Sequence, residues 1–227
     1  MGNADIVGDL RGLIVFDLDG TLIDSRRDLA DAANALIAER GGTPLAEEAI
    51  GRMVGDGAAM LVRRALTAAG VPQDDANLPR FLQLYDERLL RTTRPYPGIL
   101  DALAAIRSFG GLAVLTNKPL RHSEALLRAL DLAPFFASVI GGDGPFPRKP
   151  DPRGLQHLMA QHAVPPRRTI LVGDSPVDAA TARGATTLFC LARYGFGADA
   201  AAIEAAAAVE LPAQLPHVIG QLLTRPV

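Results

Sequence analysis

The chain has 227 residues, of which 48% are hydrophobic and 21% charged, with a formal net charge of −2. This composition is typical of a globular protein with a sizeable core and argues against a disordered chain. A charge balance this close to neutral gives no bulk attraction for nucleic acid or an anionic membrane, so neither is expected as a partner.

The cysteine content and the N-terminal residues point to a reducing compartment. Cys190 is the one cysteine, so no internal disulfide can form. Residues 1–12 are acidic and have too few apolar residues for a signal peptide. No apolar run of about 18 residues exists to span a bilayer. The expected location is therefore the cytoplasm.

Short apolar runs alternate with segments of helical period over most of the chain. The predicted strands are residues 13–16, 112–115, 138–140, 170–172 and 187–191, and the predicted helices between them are residues 99–109, 123–130, 152–162 and 176–183. Continuous apolar strands that alternate with helices are typical of a parallel sheet buried on both faces. The expected fold class is therefore α/β, with a doubly wound, Rossmann-like core.

This pattern is interrupted after the first strand. Residues 26–40, 45–54, 58–69 and 78–91 are predicted to be helices, and no clear strand occurs between Leu22 and Arg94. We therefore expect an α/β core made of residues 1–21 and 95–227, with an α-helical cap of residues 22–94 inserted into it. The two hinges are expected near residues 22–24 and 94–98.

Polar residues follow each of four predicted strands. They are Asp17, Asp19, Gly20 and Thr21 after the first, Thr116 and Asn117 after the second, Lys149 in the loop after the third, and Asp174, Ser175 and Asp178 after the fourth. Because the carboxyl ends of parallel strands share one edge of the sheet, these groups are expected to converge. Carboxylates beside a lysine and small hydroxyl and amide groups suit a divalent cation with a phosphate opposite it.

Taken singly, several of these residues have simpler structural explanations. Asp19-Gly20 is a common turn-forming pair. Thr116 and Asn117 suit a helix cap, and Lys149 suits a solvated loop. The functional interpretation therefore depends on the strand ends acting together.

Asp178 has the strongest alternative explanation. Ser175 is a plausible N-cap, Pro176 fits the first helical position, and Asp178 falls where the acid of a capping box lies. Asp178 is therefore expected to cap the helix, to support a metal, or to do both. The same spacing recurs from Ser25 to Asp28 at the start of the cap.

Lysine is rare in this chain. Of 23 basic residues, only Lys118 and Lys149 are lysines. A lysine against this background suggests a position where a compact ammonium is needed and a planar guanidinium does not serve. Chance survival is the alternative, and no role is assigned to Lys118.

The four strand-end motifs, in this order, resemble those of the haloacid dehalogenase superfamily of phosphatases. The superfamily's Asp-x-Asp-Gly-Thr matches residues 17–21, its Thr or Ser matches Thr116, its lysine matches Lys149, and its Gly-Asp-Ser-x-x-Asp matches residues 173–178. The helical insertion lies where the superfamily has its type 1 caps. Within the superfamily, stretches such as "DGTLIDSRRDLADAANALIAERG" and "TNKP" are most similar to phosphoglycolate phosphatases.

The resemblance implies a magnesium-dependent phosphomonoester hydrolase that works through an aspartyl-phosphate. Asp17 would be the nucleophile, and Asp19 would act as general acid and then general base. Magnesium would bind the Asp17 carboxylate, the backbone carbonyl of Asp19 and Asp174.

The resemblance also implies how the phosphate is held. Thr116, with the backbone N–H groups near Leu18 and Asn117, would bind the phosphoryl oxygens, and Lys149 would offset their charge. Asp178, beside Ser175, would act on the metal indirectly, through a water or through Lys149.

The cap is expected to select a small phosphorylated metabolite as substrate. Gly55, Asp56 and Gly57 precede the predicted helix 58–69, whose N-terminus would offer free N–H groups to a small carboxylate such as that of glycolate. Arg52 is a second candidate for this role, and a plain turn with Arg52 in solvent is the alternative.

Several functions remain open at this stage. The favoured one is hydrolysis of 2-phosphoglycolate by a monomer or homodimer. Another small phosphate as substrate, such as a sugar phosphate or pyrophosphate, is an alternative. So are a phosphomutase and, less favoured, a binding protein that has lost turnover.

Overall fold

The first apolar run forms the central strand of a parallel sheet. The computed structural model describes residues 12–196 and 203–224. Residues 1–11 of the N-terminal segment discussed above therefore lie outside the described residues. The strands are β1 Gly12–Phe16, β2 Ile23–Asp24, β3 Arg94–Pro95, β4 Gly110–Leu115, β5 Ser138–Ile140, β6 Thr169–Gly173, β7 Leu188–Ala192 and β8 Ala207–Val209.

Six of these strands form one sheet in the order β5-β4-β1-β6-β7-β8. Every neighbouring pair in it is parallel. The predicted doubly wound α/β fold class is thereby confirmed. Strand β1 lies between β4 and β6, so its C-terminal end lies between the ends of those two strands.

Nine α-helices occur in the described residues. They are α1 Arg26–Glu39, α2 Glu47–Gly51, α3 Ala58–Ala68, α4 Asn77–Asp86, α5 Ile99–Ile106, α6 Leu120–Ala129, α7 Arg153–Gln161, α8 Pro176–Gly184 and α9 Leu215–Thr224. None of the helices within residues 12–196 and 203–224 is long and apolar enough to cross a membrane.

Alternate residues of the sheet face two separate apolar layers. Ile14 and Phe16 pack in one cluster with residues of α5, α6 and α9, whereas Leu13 and Val15 pack in another with residues of α7 and α8. The period of two along a strand accounts for this division. Because both faces are covered, the strands are apolar along their whole length.

Helices α1 to α4, which we call the helical insertion, surround an apolar cluster of their own. Leu36, Ile37, Leu66 and Phe81 are among its most buried residues. The division of the chain at residues 22 and 94 into a core and a cap stays a prediction.

Two short segments join the helical insertion to the sheet, and they pair with each other. Ile23 lies opposite Pro95 and Asp24 opposite Arg94 in an antiparallel ladder. The expectation of no strand in this region is therefore wrong at its two ends. A two-residue strand gives no periodic signal in the sequence.

Helix α4 is shorter than predicted and ends at Asp86. Arginine side chains then bind carbonyl oxygens near its C-terminal end: Arg88 Nη1 donates to Leu84 O at 2.8 Å and Arg91 Nε donates to Glu87 O at 3.1 Å. These bonds replace helical partners, so the backbone leaves the helix while the apolar spacing continues.

The capping box expected at the start of α1 is absent. Ser25 precedes the helix but makes no side-chain capping bond. The carboxylate of Asp28, which is fully buried, instead accepts hydrogen bonds from the backbone N–H and hydroxyl groups of Thr92 and Thr93, at 2.6–3.1 Å. Asp28 thus joins α1 to the segment that leads back to the sheet.

Replacing Asp28 tests this connection. In Asp28→Asn one acceptor oxygen becomes a donor that faces buried N–H and hydroxyl groups, so we expect a loss of about 1–3 kcal/mol in the free energy of unfolding. Urea titration followed by circular dichroism measures it. Asp31→Asn, at an exposed position of the same helix, is the matched control and should change the midpoint little. Equal midpoints for the two variants would contradict the role of Asp28.

Candidate active site at the carboxyl edge of the sheet

The ends of β1, β4 and β6 bring three candidate functional residues together. Asp17 follows β1, Thr116 follows β4 and Asp174 follows β6, and all three are buried. The Asp17 N–H donates to Val172 O of β6 at 2.9 Å, which continues the ladder to the first residue of the site.

Three carboxylates lie close together at this edge. Oxygens of Asp17, Asp174 and Asp178, which we call the carboxylate cluster, all lie within 4.8 Å of one another. Lys149 Nζ lies 2.8 Å from Asp17 Oδ1 and 2.6 Å from Asp178 Oδ1. One ammonium faces three carboxylates, and oxygen donors are those that hard divalent cations prefer. The donor set therefore fits a metal ion.

The surroundings of Asp17 oppose its ionisation. Burial raises the pKa of the Asp17 carboxyl to about 6, although Lys149 acts in the opposite direction, and the neighbouring Asp178 raises it further. A buried carboxylate with a raised pKa gains from any further positive charge placed beside it.

Asp174 is oriented by groups from distant parts of the chain. Its Oδ1 accepts a hydrogen bond from Thr21 Oγ1 at 3.2 Å and its Oδ2 accepts one from the N–H of Phe196 at 3.1 Å. Gly20 has a φ of +88°, and a Cβ at this position would lie 2.2 Å from Asp174 Oδ2. The turn after β1 therefore requires glycine both for its backbone conformation and for the space that the carboxylate occupies.

Asp178 caps α8 and also holds Lys149. Its Oδ2 accepts hydrogen bonds from Ser175 N at 3.2 Å and Ser175 Oγ at 2.6 Å, and its own N–H donates to Ser175 Oγ at 3.3 Å. The capping box predicted at Ser175 is thereby confirmed. The other oxygen, Oδ1, receives Lys149. Capping and support of the site are thus combined in one side chain.

Asn117 joins three segments near the end of β4. Its Nδ2 donates to the carbonyl of Lys149 and to the carbonyl of Gly55 in the helical insertion, both at 2.9 Å. Thr116 Oγ1 accepts the N–H of Lys118 at 3.3 Å, and the backbone N–H of Leu18 interacts with the Asp17 carboxylate. Thr116 and Asn117 line one cavity with Asp17, and Leu18 and Lys149 interact with its carboxylate.

Asp19 lies beside Asp17 in sequence, but its carboxylate has different partners. Lys118 Nζ donates to both oxygens at 3.0 and 3.1 Å, and Ser25 Oγ donates to Oδ1 at 2.5 Å. The metal role predicted for Asp19 involves its backbone carbonyl, which leaves these side-chain bonds intact.

Three polar residues without an assigned role in the sequence analysis also line the site. They are Lys118, Tyr85 and His122. The rarity of lysine was a signal for Lys118. Tyr85 carried no signal, because it looks like an ordinary apolar position of a helix. His122 donates from Nε2 to Asp86 Oδ1 at 2.8 Å, since a carboxylate only accepts, and burial lowers the pKa of its imidazole.

A small cavity opens between the site and the helical insertion. Its volume is about 40 Å³. Its lining combines polar groups of the sheet edge, namely Asp17, Asp19, Thr116, Asn117 and Lys118, with apolar residues of the insertion, among them Leu29, Leu61, Phe81 and Leu82. A water needs roughly 10–15 Å³, so the space suits a molecule of few atoms.

The structure divides the residues that were predicted to select the substrate. Gly55 and Gly57 line the cavity, and Gly57 precedes α3 with a φ of +90°. Arg52, in contrast, is exposed and does not line it. Asp56 pairs with Arg64 at 2.6 Å. The structure therefore does not bring Arg52 or Asp56 to the cavity, because Arg52 lies at an exposed position just after α2 and Asp56 pairs with Arg64.

Comparison with known proteins shows the family. A family model described as haloacid dehalogenase-like hydrolase matches residues 12–186. Relatives named phosphoglycolate phosphatase match most of this chain. That of Rhodospirillum rubrum is 42% identical over 205 residues, covering 86% of this chain and 85% of the relative. That of Caulobacter vibrioides is 39% identical over 194 residues, covering 83% of this chain and 82% of the relative.

A solved structure has the same fold. The crystal structure of a predicted phosphoglycolate phosphatase from Haemophilus somnus 129pt superposes with a TM-score of 0.86 at 27% identity, covering 92% of this chain and 98% of the other. The chain belongs to the haloacid dehalogenase-like hydrolases, and it is thus an enzyme of the hydrolase class. The resemblance found in the four motifs is confirmed.

Gly20 offers a test of the metal interpretation. In Gly20→Ala the new methyl group displaces the Asp174 carboxylate, so we expect Mg²⁺ affinity to fall about 10- to 100-fold, the range for lost support of a metal ligand. Isothermal titration calorimetry of the purified protein with Mg²⁺ measures this.

The matched control is Gly41→Ala. Gly41 has a similar φ of +78°, but a Cβ there would meet no atom within 4 Å. The two variants therefore share backbone strain and differ in the contact with Asp174. An equal loss of Mg²⁺ affinity in both would contradict the role of Gly20.

Proposed function

We propose that this hydrolase is a magnesium-dependent phosphatase that converts 2-phosphoglycolate to glycolate and phosphate. The observation that carries the proposal is the carboxylate cluster with Lys149, which lies where Asp17 meets a cavity of about 40 Å³. The relatives named phosphoglycolate phosphatase support the choice of substrate.

In the proposed reaction the Asp17 carboxylate attacks phosphorus and the bond to the leaving oxygen breaks, which produces an aspartyl-phosphate. Asp19 donates its proton to the leaving alkoxide. In the second step Asp19 removes a proton from a water that attacks phosphorus, the bond from phosphorus to the Asp17 oxygen breaks, and inorganic phosphate and the Asp17 carboxylate are released.

The surrounding residues stabilise the charge that moves in these steps. The Thr116 hydroxyl and the backbone N–H groups of Leu18 and Asn117 bind the phosphoryl oxygens, and Lys149 offsets negative charge on Asp17 and the phosphate. Magnesium, when bound by Asp17, Asp174 and the Asp19 carbonyl, supplies Lewis-acid stabilisation of the phosphoryl group.

The size of the cavity favours a small leaving group. A cavity of about 40 Å³ is small, so it suits a compact leaving group such as glycolate better than a sugar. The substrate carboxylate is proposed to meet the N-terminus of α3. The first helical bond there runs from Leu61 N to Gly57 O at 3.1 Å, so the N–H groups of residues 58–60 begin without helical partners.

A metal-dependent screen tests the proposed activity. We expect phosphate release from 2-phosphoglycolate with Mg²⁺, no release with excess EDTA, and a loss of all measurable turnover in Asp17→Asn, because an amide is not a nucleophile towards phosphorus. Malachite-green assay of phosphate and chromatography of the organic product measure the outcome.

Two results would overturn the proposal. Substantial turnover in Asp17→Asn would remove the nucleophile assignment. An isomeric phosphate ester in place of free phosphate would identify a mutase.

The N-terminus of α3 can be tested by removing one donor. Ala58 is the first residue of α3, where proline is tolerated and removes only an N–H group. We expect Ala58→Pro to raise the KM for 2-phosphoglycolate about tenfold, comparable to the loss of one hydrogen bond to a charged group. The KM for ethyl phosphate, which has no carboxylate, should stay the same.

Arg52→Ala provides the comparison. Because Arg52 is exposed away from the cavity, its removal should leave both KM values unchanged. If Arg52→Ala raises the KM for 2-phosphoglycolate and Ala58→Pro does not, the carboxylate is bound by Arg52 instead.

The cellular setting belongs to the same proposal. A small metabolite as substrate and a lone, buried Cys190 support a reducing, cytoplasmic environment. We further propose that residues 22–94 act as the cap of this enzyme and that it works as a monomer or homodimer.

A further inference from the structure

We propose that Lys118 and Tyr85 are positioning residues, through which contact between the helical insertion and the sheet orients the Asp19 carboxylate. The inference rests on the acid–base role given to Asp19 in the proposed function. It assigns to Lys118 and Tyr85 a part in proton transfer without contact to the reacting atoms.

Lys118 holds both oxygens of the Asp19 carboxylate. Its Nζ donates to them at 3.0 and 3.1 Å, and the two side chains are 4% and 10% exposed. A paired contact at this burial fixes the direction of the carboxylate more firmly than a single exposed ion pair does. The third partner, Ser25, lies in the segment that leads into the helical insertion.

Tyr85 binds the same ammonium. Tyr85 lies in α4 of the helical insertion, and its hydroxyl accepts a hydrogen bond from Lys118 Nζ at 2.7 Å. The ammonium also lies 4.5 Å from the centre of the Tyr85 ring, within the range of a cation–π interaction. The Nζ atom of Lys118 therefore connects Tyr85 of the helical insertion with the Asp19 carboxylate.

The residue after Tyr85 fixes this end of α4 to the core. Asp86 accepts hydrogen bonds from Arg121 Nη2 at 2.7 and 2.9 Å and from His122 Nε2 at 2.8 Å. Consecutive residues of α4 thus bind Lys118 on one side and α6 on the other. The Tyr85 hydroxyl meets Lys118 only while α4 rests on this part of the core.

The choice of lysine, not arginine, at position 118 also fits this role. Lys118 is one of two lysines among 23 basic residues. Burial opposes the charge of Lys118, but the Asp19 carboxylate and Tyr85 outweigh it and raise the pKa of the ammonium. A compact ammonium can meet a carboxylate and a phenol at one point, whereas a planar guanidinium spreads its donors.

The orientation of Asp19 can be read from how activity depends on the leaving group. Ethoxide needs a proton from Asp19 as the bond from phosphorus to oxygen breaks, whereas acetate leaves acetyl phosphate as a stable anion and needs none. The ratio of kcat/KM for ethyl phosphate to that for acetyl phosphate therefore reports proton donation in the first step.

We expect Lys118→Met to lower kcat/KM for ethyl phosphate by roughly 100-fold, within the range that general acids contribute. Tyr85→Phe, which keeps the ring and loses the hydroxyl, should lower it about tenfold, a smaller part of the same contribution. The kcat/KM for acetyl phosphate should change by less than about threefold in both variants, because its leaving group needs little general-acid assistance.

The matched control is Leu82→Ala. Leu82 lies on the same helix and lines the same cavity, but has an apolar side chain. We expect this variant to lower kcat/KM for both substrates by a similar factor. Thermal unfolding of each variant establishes that the compared proteins are folded.

Asp19→Asn separates the two levels of the proposal. If Asp19→Asn lowers kcat/KM for ethyl phosphate and for acetyl phosphate by the same factor, the acid–base role of Asp19 is wrong. If Asp19→Asn discriminates between the substrates but Lys118→Met and Tyr85→Phe do not, the positioning role alone is overturned. Selective loss for ethyl phosphate in all three variants supports it.

Discussion

Repulsion among buried carboxylates is the constraint on which the arrangement of this enzyme depends. Asp17, Asp174 and Asp178 lie within 4.8 Å of one another, and an unpaired buried charge is costly. Lys149 offsets part of this repulsion through its ion pairs with Asp17 and Asp178. The oxygen donors suit a bound cation, which would offset the remaining negative charge. These residues follow three different strands, β1, β5 and β6, so only the folded sheet assembles the balanced site.

Buried charge is also paired at the boundary between the sheet and the helical insertion. Asp19 is balanced by Lys118, which in turn binds Tyr85. Asn117 binds Gly55 of the insertion and the carbonyl of Lys149. The polar groups of the site are therefore shared between the proposed chemistry and contact with the insertion, and the cavity lies between the two parts.

The sequence allowed the sheet and the strand-end residues to be predicted because both depend on local patterns. Apolar runs ending in Asp17, Thr116 and Asp174 are visible without a structure. Contacts between distant helices are not. Asp28 looked like a capping residue, since its spacing from Ser25 matches that motif, but its partners lie more than sixty residues away at Thr92 and Thr93. Tyr85 was missed for the same reason, and Arg52 was chosen because sequence proximity to Gly55 suggested spatial proximity.

The pairing of Ile23–Asp24 with Arg94–Pro95 has a consequence for how this enzyme diversifies. The chain leaves the sheet and returns to it at one point, and Asp28 ties the outgoing helix to the returning segment. The helical insertion thus joins the sheet through one pair of chain crossings, and Gly55, Tyr85 and Asp86 add further contacts with the core. Such an insertion can change in length or composition while the catalytic edge keeps its register. Under the role proposed for the insertion as a cap, substrate choice can therefore change while the order of the sheet stays the same.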